Sequence, residues 1–217
     1  GIPLVYIDTP ILEVDSVAIV QSDNLAIGKG AGLAMAERLN NMGKTEINLA
    51  HLHGNPADIK VGPDRFNGFL AGLEEGGITV EVVADGNAEY STSLGLQVAE
   101  DLLVAHPEID VFFANNDAMA LGAQAAVLGA GRDDILLAGI DGQKEGFAEI
   151  VAGGCDGQYV STGLNSPVLA AEESVQILLS VISGEKSADD FEDVIFTPAV
   201  GIDCNNVDEY YDPLSVF

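Results

Sequence analysis

The chain is 217 residues long and 47% hydrophobic, enough to bury a full core in one large domain or two small ones, which excludes a disordered or low-complexity protein. Its 8 basic residues stand against 35 acidic ones, a net charge of −27, which argues against a nucleic-acid partner and reads as a solubilising surface for a salty or extracytoplasmic setting. No apolar run reaches the length of a membrane-spanning helix.

In chain order, apolar and β-branched segments at 4–7, 17–20, 47–50, 78–83, 111–114, 135–140 and 158–161 read as strands. Helix-like segments at 24–42, 64–75, 91–105, 118–130, 143–151 and 167–183 mostly alternate with them. Strands alternating with helices of that length imply an α/β fold, doubly wound, with mostly parallel sheets covered on both faces. The punctuation agrees: His106-Pro107 ends a helix, Gly86, Gly129 and Gly131 fall in turns, and Asn24 and Asp117 are expected as helix N-caps. The opening GIPLVYID reads as a strand from the first residues, so the expectation is that residues are missing upstream.

Several motifs fail on spacing. Gly28, Gly30 and Gly32 look Gly-rich, but a dinucleotide fingerprint would need its third glycine at Leu33, so close helix packing is the expected role. Gly43-Lys44-Thr45 resembles the end of a phosphate loop, but the order is helix then strand and Arg38 stands where the first glycine belongs. His51 and His53 have tolerable metal spacing, yet no Cys or carboxylate cluster accompanies them, so no metal is expected there. No G-x-S-x-G elbow and no Ser-His-Asp set is evident, so no hydrolytic apparatus is expected.

What remains is polar chemistry at strand ends, where open α/β sheets collect ligands. Asp8 follows LVYI, Asn116 follows VFFAN, Asp141 lies in AGIDG and Asn165 follows STGL; Arg65 in DRFNGF and Tyr90 before a helix join them. Carboxylates, side-chain amides and a guanidinium pair with vicinal hydroxyls, and an aromatic ring covers a sugar's C–H face, so together they describe a pyranose or furanose site. Each also has a structural alternative: Asn165 as a cap, Asp141 as a turn residue beside Gly142, Arg65 as a surface ion-pair partner, Tyr90 as core.

DTPI, SVAIVQSDN followed by a Gly-bearing helix, DRFNGF, AHPEIDVFFANNDAMALGA, LLAGIDG, LNSP and NNVDEY resemble the ribose-type class I periplasmic sugar-binding proteins of ABC transporters, over almost the whole chain. The resemblance implies a two-lobed periplasmic-binding-protein type I fold that closes like a hinged trap on a monosaccharide or polyol and delivers it to a membrane permease, with no cofactor and no catalysis. It makes Arg65, Asn116, Asp141 and Asn165 hydroxyl ligands, Tyr90 an aromatic wall and Asp8 a contact from the opposite lobe. Residues 1–22 and 165–197 would form part of the N-terminal lobe, which is incomplete, and 23–164 with 198–217 the C-terminal lobe, with crossings near 22–24, 163–165 and 197–201.

The absent N-terminal βα units become an expected partner, as a further segment of the same protein. Thr9, where ribose binders carry an arginine, and the long loop 55–63 leave the sugar or polyol class as the implication rather than ribose itself. The resemblance also sets Cys155, at the start of a strand, near Cys204 on an antiparallel neighbour; a disulfide or two buried thiols remain open. A periplasmic or extracytoplasmic location, soluble or lipid-anchored, follows. The competing readings are the sensor core of a lac-repressor-type regulator, which shares the fold, and an α/β enzyme with its catalytic residues elsewhere.

Overall fold

The computed structural model describes residues 2–8 and 14–217. Thr9, Pro10 and Ile11 of the DTPI motif, including the position that replaces an arginine, lie outside the described residues. The elements are β1 (Val5–Ile7), β2 (Ala18–Gln21), α1 (Asn24–Asn41), β3 (Glu46–His53), α2 (Val61–Glu75), β4 (Thr79–Asn87), α3 (Thr92–Ala105), β5 (Val111–Ala114) and α4 (Asp117–Gly129). They continue with β6 (Leu136–Asp141), α5 (Lys144–Gly153), β7 (Tyr159–Leu164), α6 (Pro167–Ser183), β8 (Val194–Phe196) and β9 (Gly201–Ile202). The chain divides into two compact units, one of Gly1–Asp23 with Asn165–Ala199, the other of Asn24–Leu164 with Val200–Phe217.

The larger unit holds a six-stranded sheet in the order β4-β3-β5-β6-β7-β9, parallel except for β9, which runs antiparallel to β7. β5 is buried along its whole length, as is β6 up to Asp141, which is why both read as continuous apolar runs rather than alternating ones. One face packs under α1 and α2, with Ile27, Met35, Leu39, Leu49, Phe69, Leu73 and Phe113 among its core. The glycines of α1 do serve close packing: a Cβ at Gly28 or Gly32 would run into the backbone of Arg65 or Phe69, and one at Gly68 or Gly72 into α1. Cys155 and Cys204 are joined in a disulfide with Cα atoms 5.1 Å apart; Cys155 sits in a 3-10 turn, Gly154–Asp156, rather than at the start of β7.

The smaller unit holds a parallel sheet in the order β1-β2-β8 with α6 packed on β1 and β2. Its core is Val17, Ala18, Val20, Ala170 and Ile177. α6 keeps the bounds its sequence suggests because Ser166 caps its start, its Oγ accepting from Leu169 N, and Gly184 takes the left-handed conformation that ends it.

Four local readings are corrected. The cap of α4 is Asn116, whose Oδ1 accepts from Met119 N at 3.0 Å, so Asp117 is the first helical residue and turns inward. Asn24 is likewise the first residue of α1. α2 begins three residues early, at Val61, because Asp58 accepts from the N–H groups of Val61 and Gly62, and Pro63 is tolerated in a first turn. Gly86 lies inside β4, where a Cβ would strike Val98 of α3, rather than in a turn.

Candidate functional site

The carboxyl ends of β3, β5 and β6 bring three of the expected ligand positions together in the larger unit. Arg65, on the second turn of α2, is 5% exposed. Its Nε donates to Asn24 Oδ1 at 2.8 Å, its Nη1 donates to Asn115 O at 2.7 Å, and Nη1 lies 3.0 Å from Asp141 Oδ1. A guanidinium is the group for this task, because its planar fork stays charged when enclosed and can satisfy several acceptors at fixed angles. The pair is nearly dry, with side-chain exposures of 6% and 14% for Arg65 and Asp141. Arg65 is thus part of the strand-end cluster, and its ion pair is a buried one rather than the surface pair of the alternative reading.

Asp141 closes β6 at φ 116°, a conformation that non-glycine residues reach only under restraint. Gly142 and Gln143 complete the turn into α5. Asn116 is buried just past the end of β5, the parallel neighbour of β6; its Oδ1 serves the α4 cap, a bond that leaves its Nδ2 donors uncommitted.

Tyr90 is half-buried and also left-handed, at φ 56°. Its hydroxyl donates to Asp58 Oδ2 at 3.0 Å, and its ring fills the space a Cβ on Gly54 would need. Burial and the neighbouring Asp58 push its phenol up to about 12, so it stays a neutral donor. Burial acts to raise the Asp58 carboxyl, but the N–H groups of Lys60, Gly62 and Val61 and the Tyr90 hydroxyl together hold it below the usual value. Asp58 therefore ties the ring of Tyr90 to the start of the helix that carries Arg65.

His51 stacks on Phe66 at 3.8 Å between ring centroids and shares a 2.9 Å hydrogen bond with Asn115 Oδ1. Burial lowers it to about 4, so the ring is neutral and serves packing; His53 lies 3.5 Å from Asp85. Among the described residues, no group of three metal-binding side chains is found. Asp117 is fully buried, raised to about 7 by burial and then by the Asp141 charge, and holds Tyr159, Thr162 and Gln143.

Asp8 and Asn165 belong to the smaller unit. Asp8 ends β1 at φ 66° and is exposed. Asn165 Oδ1 accepts from Ser22 Oγ at 2.8 Å, and Ser22 Oγ lies 3.1 Å from Thr197 Oγ1. These three side chains stand within a few residues of the places where the chain passes from one unit to the other.

Asn24, Asn115, Asp58 and Asp117 are not among the ligands the resemblance implies. Asn115 and Asp117 flank Asn116 in a polar triplet between a strand and a helix, and Asp58 stands three residues before a helix start; both are signals a sequence carries. The pairing of Asn24 with Arg65 leaves no such trace.

The description Periplasmic binding protein domain matches residues 1–186. The chain is 31% identical over 185 residues to a ribose import binding protein of Salmonella typhimurium, covering 85% of this chain and 59% of that protein. It superimposes on an ABC transporter solute-binding protein of Mycobacterium smegmatis with bound glycerol at a TM-score of 0.76 and 28% identity, covering 97% of this chain and 68% of the other. A solute-binding protein of Bacillus halodurans with bound myo-inositol gives a TM-score of 0.73 at 27% identity, covering 96% and 68%. The chain spans about 59% of the length of the Salmonella relative. By the match of its sequence and the likeness of its fold, this chain belongs to the periplasmic binding protein domain family.

Proposed function

We propose that this chain is the greater part of an extracytoplasmic solute-binding protein of an ABC transporter, which captures a monosaccharide or related polyol by hinged closure of two lobes and presents it to a membrane permease. The observation that carries the reading is the enclosed Arg65–Asp141 pair beside Asn116 at the carboxyl edge of a parallel sheet. It offers a fixed donor fork, a carboxylate acceptor and amide donors within one cluster, the complement of vicinal hydroxyls. Tyr90 supplies an apolar face, and Asp8 and Asn165 of the smaller unit are ligands that the family resemblance implies. The relative from Salmonella is an import binding protein, and in this reading the chain likewise carries its ligand without transforming it. The relatives named above bind or import ribose, glycerol and myo-inositol, and none is a transcription regulator.

The Cys155–Cys204 disulfide fits an oxidising compartment outside the cytoplasm. Among the described residues β1 pairs only with β2, and Leu4 and Ile7 are exposed. An uncovered apolar edge favours a partner, and a further βα segment of the same protein, outside residues 1–217, fits that edge. A thermal-shift panel of pentoses, hexoses and polyols on the full-length protein tests the reading. A ligand of the folded state raises the Tm; no shift with any panel member contradicts it.

A further inference from the structure

Asp117 is absent from the ligand set above, yet its bonds run to the turn that carries one of the ligands. Its Oδ2 accepts from Gln143 N at 2.7 Å, and its Oδ1 accepts from Thr162 Oγ1 and Tyr159 Oη, each at 2.7 Å. With its proton committed to Asp117, the Thr162 hydroxyl accepts from Gly142 N at 3.2 Å. The two amides that follow Asp141 therefore both end on one buried carboxylate, one directly and one through a hydroxyl. The room for that carboxylate is made by two glycines, since a Cβ at Gly139 would run into Asp117 and one at Gly146 would crowd it. The turn it holds is strained at Asp141, φ 116°, whereas Gly142 at φ 72° is relaxed, and a strained backbone persists only where its surroundings over-determine it.

We propose that Asp117 is a positioning residue: through Gln143 N–H directly, and through Thr162 to Gly142 N–H, it holds the 141–143 turn, with Asp141 and Gly142 at positive φ, and so fixes where the Asp141 carboxylate meets Arg65 and the ligand. The inference rests on the reading of Asp141 as a sugar ligand.

The test separates the turn from the core around it. Thr162→Val removes the relay to Gly142, Thr162→Ser keeps it, and Tyr159→Phe takes one bond from the same oxygen of Asp117 without touching the turn. Two readouts are taken on the full-length protein: amide hydrogen exchange at Gly142 and Gln143, and calorimetric affinity for D-ribose and myo-inositol as probes. Thr162→Val should speed exchange at Gly142 and weaken the bound probe by about fivefold, the scale of one net hydrogen bond. Thr162→Ser should restore both, and Tyr159→Phe should leave affinity within about twofold.

If Thr162→Val does not fold, Thr162→Ala removes the same hydroxyl with less bulk. Unchanged exchange at Gly142 overturns the inference whatever the ligand. Equal loss of affinity in Thr162→Val and Tyr159→Phe also overturns it, since Asp117 would then serve the core alone. If the wild type takes up neither probe, the reading of these sugars fails instead, and the exchange measurement decides the anchor.

Discussion

Replacing Asp141 by alanine should destabilise the larger unit as well as weaken ligand binding. Removing one partner of a buried ion pair costs about 3–5 kcal/mol when the other charge is left without compensation. Arg65 here keeps two acceptors, Asn24 Oδ1 and Asn115 O, and the Asp141 side chain is 14% exposed, so the expected loss falls to about 1–3 kcal/mol. A second effect is separable. Asp141 holds φ 116°, which alanine tolerates no better than aspartate and glycine adopts freely. Asp141→Gly should therefore be more stable than Asp141→Ala by about 0.5–1 kcal/mol, after allowing for the greater unfolded-state entropy of glycine. Urea unfolding followed by circular dichroism reads both effects as shifts in midpoint at constant slope. A midpoint for Asp141→Ala equal to the wild type would refute the structural value of the Arg65 pair. An alanine variant more stable than the glycine variant would refute the strain at this turn.

Tyr90→Phe deletes the hydroxyl that reaches Asp58 and should cost about 1 kcal/mol in the same assay; no loss would mean the ring is held by packing over Gly54 alone. Burial lowers His51 to about 4 from an unfolded value of 6.5, so the native state binds fewer protons between these values. Its contribution is full above pH 6.5 and is lost as pH falls toward 4, and His51→Phe should lose less stability than the wild type over that window. Parallel pH profiles for the two proteins would contradict this. The Cys155–Cys204 disulfide spans a sequence separation of 49, and replacing both cysteines by serine should lower stability by about 2–4 kcal/mol, seen as a lower Tm under non-reducing conditions; an unchanged Tm would show that the bond adds nothing.

The alternation of strands and helices was legible because β5 and β6 are buried runs and α6 carries its own cap and terminating glycine. β8 and β9 were not: β8 is three residues and β9 is two, with Thr197 and Pro198 between them. The end of β3 was hidden for another reason: His51 is buried by stacking on Phe66, and a polar ring in an apolar run reads as the end of a strand. Polar residues at strand ends could be picked out as a group. What could not be seen is which of them spend their hydrogen bonds on each other, as Arg65 does on Asn24, Asn115 and Asp141. Such pairings depend on how α1, α2 and the sheet pack, and no local spacing encodes them. The start of α2 was hidden because its N-cap position is Lys60, with no side-chain cap, and its first N–H groups are met by Asp58, two residues earlier, which also serves Tyr90.

In the proposed function a sugar or polyol is held at the Arg65–Asp141 cluster. The most direct test is isothermal titration of the full-length wild type and the Asp141→Ala variant with whichever panel sugar stabilises the wild type. Saturable one-to-one binding in the wild type, weakened by about 2–3 kcal/mol in a variant that remains folded, is the predicted result, since hydrogen bonds to a charged group are the stronger kind. Equal affinity in the two proteins would place the ligand elsewhere and contradict the account.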